Sequence, residues 1–117
     1  MSNTQVLTRD ANGVTFANPA DPDYRVRFKT TTANKSLNGV SVPNYVTEII
    51  VNDNVPVVLG STSANDAVAV RVRMSGTIAS IERRKAIVKS IASQLATWAD
   101  ENVMTGFEPA TPPVVVA

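Results

Sequence analysis

The sequence predicts an α+β fold, with an N-terminal β-hairpin and an antiparallel β-sheet followed by a C-terminal α-helix. Three observations predict it. Short alternating, Val-rich segments fill roughly the first two-thirds of the chain, one long amphipathic segment follows, and prolines crowd the end. A sheet has two faces and two edges, and a single helix cannot cover all of them, so the pattern asks for partner copies. An obligate oligomer is expected.

Gln5 to Arg9 and Val14 to Ala17 flank Asp10-Ala11-Asn12-Gly13, whose Asn-Gly pair predicts a hairpin turn because both residues tolerate positive φ. Asn18-Pro19-Ala20-Asp21-Pro22 breaks the chain, since each proline lacks a donor and biases its predecessor away from helix. Tyr24 to Thr32 has the cleanest strand pattern: Tyr24, Val26, Phe28 and Thr30 fall on one face, Arg25, Arg27, Lys29 and Thr31 on the other. Ala33 to Ser41 reads as a turn or loop. Val42 to Val51 resumes strand character, with Tyr45, Thr47 and Ile49 opposing Val46, Glu48 and Ile50, and the pattern leaves its buried face open. Asn52-Asp53-Asn54 reads as a second turn, Val55 to Leu59 as a short strand weakened by Pro56, and Gly60 to Asn65 as an exposed, mobile loop.

Asp66 to Ile78 reads as a long strand, with Val68, Val70, Val72 and Met74 on one side and Arg71, Arg73 and Ser75 on the other. A helix is predicted over 80–103, N-capped by Ser80. Its apolar stripe comprises Ile81, Ile87, Val88, Ile91, Ala92, Leu95, Trp98 and Ala99. Thr105-Gly106 ends it, and Pro109, Pro112 and Pro113 forbid another long helix, so an extended tail over 105–117 is expected. The chain reads as one domain over 1–117: hairpin 1–18, sheet 23–78, helix 80–103 and Pro-rich tail.

The chain has no cysteine, which excludes disulfides and thiolate metal sites, and no histidine, the commonest general base and metal ligand. These gaps argue against an enzyme. No Gly-rich phosphate loop, paired catalytic carboxylates or nucleophile elbow is present, and no cofactor or small-molecule substrate is expected. Asp21, Asp23 and Asp66 lack the spacing of a known cation loop, so no metal is expected. No apolar run is long enough to span a membrane, and Met1-Ser2-Asn3-Thr4 has neither the charged start nor the apolar core of a signal peptide. A soluble protein that is not conventionally secreted is expected.

The net charge of +1 hides an uneven distribution. Between Tyr24 and Ser90 ten basic residues face four acids, while acids dominate both ends. The two best strands both carry arginines on a single face. Such charges are ordinary on the solvent side of an antiparallel sheet, where they also discourage edge aggregation. The functional alternative is that Arg25, Arg27, Lys29, Arg71 and Arg73 form a flat field for phosphates, salt-sensitive and only weakly sequence-specific. Tyr45 would stack a base if it shares that face and is a core tyrosine if it does not. Arg83-Arg84-Lys85 is a solvated first turn, unfavourably placed at the positive end of the helix dipole.

The N-terminal hairpin, the basic-faced meander, the last strand Ala69-Val70-Arg71-Val72-Arg73-Met74-Ser75-Gly76 and the helix directly after it resemble the coat proteins of small single-stranded RNA bacteriophages, the levivirus-like family. The resemblance covers nearly the whole chain and rests on element order. It implies an intertwined homodimer, in which two sheets join into one continuous sheet covered by the partner's helices, with Ile87, Val88, Ile91, Leu95 and Trp98 at the dimer interface. It further implies assembly into an icosahedral shell in the host bacterial cytoplasm. The basic sheet face would line the interior against single-stranded RNA, and Gly60 to Asn65 would gather around the symmetry axes. Members also bind a genome hairpin that represses replicase translation, and they have a second helix where this chain has Pro109 to Pro113. Two readings from other classes stand beside the coat protein: a non-capsid homodimeric RNA-binding module, and a structural assembly protein indifferent to nucleic acid.

Overall fold

A computed structural model describes residues 4–116; the expectations that touch residues 1–3 and Ala117, namely the leader pattern and the two chain ends, lie outside them. Two units are distinguished, 1–77 and 78–117. The first is a five-stranded antiparallel meander in sequence order: β1 (Gln5–Arg9), β2 (Gly13–Asn18), β3 (Asp21–Leu37), β4 (Val40–Leu59) and β5 (Thr62–Thr77). The hairpin and the sheet of the sequence reading are thus one sheet.

The β1–β2 turn forms where expected but by another mechanism. Neither Asn12 nor Gly13 has positive φ; instead the Asp10 carboxylate accepts the Asn12 and Gly13 amides at 3.0 and 2.9 Å. Gly13 is required for space, because a Cβ there would sit 2.5 Å from the Phe28 carbonyl oxygen. The Asn-Gly mechanism operates at Asn38-Gly39, with φ of 51° and 83°, which joins β3 to β4 between the paired Leu37 and Val40.

Three expected interruptions are strand. Residues 33–37 continue β3, pairing with 40–44. Asn52-Asp53-Asn54 stays in β4 opposite Ala69, Val68 and Ala67, because the continuous ladder with β5 outweighs local turn preference. The expected mobile loop shrinks to Gly60-Ser61. Gly60 at φ 63° makes the tight turn, and Thr62 to Asn65 pair with Leu59 to Pro56. Only residues 44–52 of β4 are flanked on both sides, and Pro43 and Pro56 lie just outside that stretch. There a missing N–H costs no ladder bond on the open side.

The register resolves the open question about β4. Tyr45, Thr47, Ile49 and Val51 share a face with Val26, Phe28, Val70, Val72 and Met74. That face is apolar yet uncovered: Phe28 is 40% and Val70 57% exposed. Among the described residues the buried ones are Ala17 and Thr77 alone, and no large side chain is fully buried.

In the second unit a 3-10 turn, Ile78–Ser80, leads into α1 (Ile81–Ala99). Ser80 makes no side-chain cap bond to the helix, contrary to the N-cap expectation. The helix also stops four residues before the expected Val103. Glu101 turns extended (ψ −179°), and a 3-10 turn over Asn102–Thr105 follows, closed by left-handed Gly106 at φ 92°. The Pro-rich segment beyond contains no helix.

Candidate nucleic-acid interface

The sheet unit brings all five predicted cations onto one face. Directly opposed residues in an antiparallel ladder share a side, and the pairings run in rows: Arg25–Asn52–Ala69, Arg27–Ile50–Arg71, Lys29–Glu48–Arg73 and Thr31–Val46–Ser75. Arginines separated by more than forty residues in sequence therefore become neighbours. This follows from the uninterrupted register of β4 with both flanking strands; a one-residue slip of β5 would have moved Arg71 and Arg73 to the apolar side.

Tyr45 is corrected by the same register. It pairs with Thr32 and Gly76, rows that belong to the apolar face, so it does not stand among the cations. Its odd offset from Glu48 in an unbroken strand places it there.

The five cations are not equivalent. Arg27 is tied down: its Nη2 lies 2.9 Å from Asp10 Oδ2, and its Nη1 donates to Thr15 Oγ1 at 3.4 Å. The Asn12 amide, then the hydrogen bond and charge of Arg27, hold the Asp10 carboxyl below its ordinary range. Arg25 donates through Nε to the Pro22 carbonyl at 2.8 Å. Arg71 and Arg73 are both exposed; Arg71, 68% exposed at its side chain, forms a long ion pair, its Nη1 4.0 Å from Glu48 Oε2. Glu48 is one of the four acids counted between Tyr24 and Ser90. It lies inside the cationic rows, and only the pairing of β4 with β3 and β5 reveals that.

The expected interface residues of α1 are placed by the second unit alone. Ile87, Ile91 and Leu95 are exposed, Leu95 at 48%, while Val88 and Trp98 are half-buried. The tail runs back along the helix and takes part of this stripe. Glu101 accepts the Ala110 and Thr111 amides at 2.6 and 3.1 Å, Trp98 Nε1 donates to the Thr111 carbonyl at 2.7 Å, Gln94 Nε2 donates to that of Val114 at 3.1 Å, and Arg83 donates to that of Val116. A shallow cleft between Ile87, Ile91 and the segment Pro113 to Val116 results. The Thr111 side chain, then the two amides, hold the Glu101 carboxyl below its usual range against desolvation. Nothing in the sequence pattern announced that Gln94, Trp98 and Glu101 act together on the tail, because their partners are backbone groups.

Among the described residues no three acidic, His or Cys side chains gather as a metal site, and Asp21 and Asp66 stand on non-adjacent strands. No helix is long and apolar enough to cross a membrane. No protein-family model and no curated protein matches the sequence.

Solved structures do match. A chain of the virus-like particle of bacteriophage PQ-465 superposes with a TM-score of 0.84 at 22% identity, covering 97% of this chain and 95% of that one. The virus-like particles of Beihai levi-like virus 32 and of bacteriophage ESE001 give 0.64 and 0.63, each at 13% identity. The former match covers 96% of this chain and 94% of that one, the latter 97% and 99%. The resemblance read from element order therefore holds at the level of the fold: a five-stranded antiparallel meander followed by a helix, shared nearly end to end with the virus-like particle chains of levi-like bacteriophages.

Proposed function

We propose that this chain is a viral coat protein that assembles through homodimers into an icosahedral shell around single-stranded RNA. The observation that carries the proposal is the fold shared over almost the full length of both chains with subunits of virus-like particles. The exposed apolar sheet face and the exposed stripe of α1 support it, since a chain with no large side chain fully buried among its described residues gains stability by covering those surfaces with copies of itself. On this reading the sheets of two copies join edge to edge, and Ile87, Val88, Ile91, Leu95 and Trp98 meet the partner. The virion is the chain's destination, reached by assembly in the host bacterial cytoplasm.

The basic face is the RNA side. Arg71, Arg73, Lys29 and Arg25 contact phosphates, and Arg27 contributes less because Asp10 already neutralises it. Recognition of a genome hairpin, with repression of translation, belongs to this reading as a use of the same face.

Size-exclusion chromatography of the recombinant protein, read at 260 and 280 nm, tests it. A void-volume peak rich in nucleic acid, seen as uniform shells by electron microscopy, is the expected result. A small dimer peak that stays unassembled when RNA is added overturns the shell and favours a discrete RNA-binding dimer. Shells free of RNA under all conditions favour the assembly protein indifferent to nucleic acid.

A further inference from the structure

We propose that Glu48 reads a base on the cationic face, taking the Watson–Crick edge of an unpaired guanine while the surrounding cations hold the phosphates of the strand. The inference rests on the reading of that face as an RNA surface. Lys29 and Arg73 stand directly across from Glu48 on the two neighbouring strands, and Arg27 and Arg71 occupy the next row. The carboxylate is ion-paired with Arg71 but accepts no hydrogen bond from it. Its nearest cation, Arg71 Nη1, lies 4.0 Å from Oε2, beyond hydrogen-bond reach.

Asp10 makes the contrast. It accepts from Arg27, Asn12 and Gly13 and has little acceptor capacity left. A carboxylate present only to neutralise this face would close onto a guanidinium as Asp10 does. The Glu48 side chain, 23% exposed, instead makes only the long Arg71 ion pair and no bidentate bond, in the middle of a field that draws phosphates.

A phosphate is repelled from that point, and a donor-rich base edge is not. Guanine presents N1–H and the N2 amino group side by side, two parallel donors for two carboxylate oxygens. Adenine and cytosine place one amino donor beside an acceptor, and uracil places one imino donor between two acceptors. Only an unpaired guanine has this edge free. Val46 and Ile50, two residues to either side on the same face and half-buried, provide apolar surface for the ring.

The test is fluorescence anisotropy of full-length protein with a short uridine-rich RNA carrying one guanine, the same RNA with inosine, which lacks the N2 amino group, and a uridine-only RNA. Wild type is expected to bind the guanine RNA about tenfold tighter than the inosine RNA, the loss of one charge-assisted hydrogen bond. In Glu48→Gln the ratio falls to about one, and uridine-only RNA binds at least as tightly because a negative charge is gone. Equal wild-type affinities for guanine and inosine RNA, or an undiminished ratio in Glu48→Gln, overturn the role of Glu48 while leaving the RNA face intact. If Glu48→Gln does not fold, Glu48→Ala takes its place, and a wild-type ratio of about one overturns the role of Glu48 without either variant. Failure of wild type to bind any of the three RNAs overturns the RNA face itself and this inference with it.

Discussion

Single carboxylates do different work in the two units. Glu101 lies beyond the helix and receives the Thr111 side chain and the Ala110 and Thr111 amides, which lower its pKa, so its grip on the tail is present above the unfolded-state pKa and lost as pH falls through the lowered folded value. Amide exchange at Ala110 and Thr111 is expected to be slowed at neutral pH and released on acidification below the ordinary carboxylate range. Protection that persists unchanged in Glu101→Gln would contradict this. Gly13 carries the opposite lesson, a residue defined by what cannot fit. Gly13→Ala should destabilise by ~1–3 kcal/mol, because the added methyl meets the Phe28 carbonyl and one strand must shift. A urea midpoint equal to wild type at the same protein concentration would exclude that clash.

At the scale of elements, turn chemistry and ladder continuity set the layout together. Asn38-Gly39 and Gly60-Ser61 are two-residue turns that hold β3, β4 and β5 in one register, and that register gathers the cations. Gly39→Val puts a β-branched residue at φ 83°, and a loss of ~1–2 kcal/mol is expected, read as faster amide exchange at Leu37 and Val40. The tail is the second element-scale device. Trp98→Phe keeps an aromatic ring, though a smaller one, and removes the N–H given to the Thr111 carbonyl. Protease sensitivity within 107–116 should rise while α1 keeps its helicity; an unaltered cleavage pattern would mean that Gln94 and Glu101 hold the tail without it.

On the scale of the whole molecule, exposed apolar surface and clustered charge imply different dependencies. Under the proposed function, coverage of the apolar faces by copies depends on concentration, whereas RNA binding depends on salt. If the proposed function holds, Arg71→Ala with Arg73→Ala leaves dimers intact and lowers the RNA content of shells, reducing the salt slope of single-strand binding by about 1.4 for two phosphate contacts. An unchanged 260/280 nm ratio and slope would remove Arg71 and Arg73 from the RNA side.

Much was legible in the sequence because it is local. Period-two alternation exposed the arginine-bearing sides of 24–32 and 66–78, and helical spacing with a proline-rich end located α1 and the extended tail. The turns at Asn52–Asn54 and Gly60–Asn65 were misread because their polar residues favour turns only where no neighbouring ladder claims their backbone. That Tyr45 departs from the cations, that Glu48 joins them and that the tail closes on Gln94, Trp98 and Glu101 were decided by tertiary structure alone. A strand's own pattern says which residues share its side, but only hydrogen-bonded register between distant segments says which side meets which. Backbone acceptors and donors, present at every residue, leave no mark in the sequence to show which one a side chain will choose.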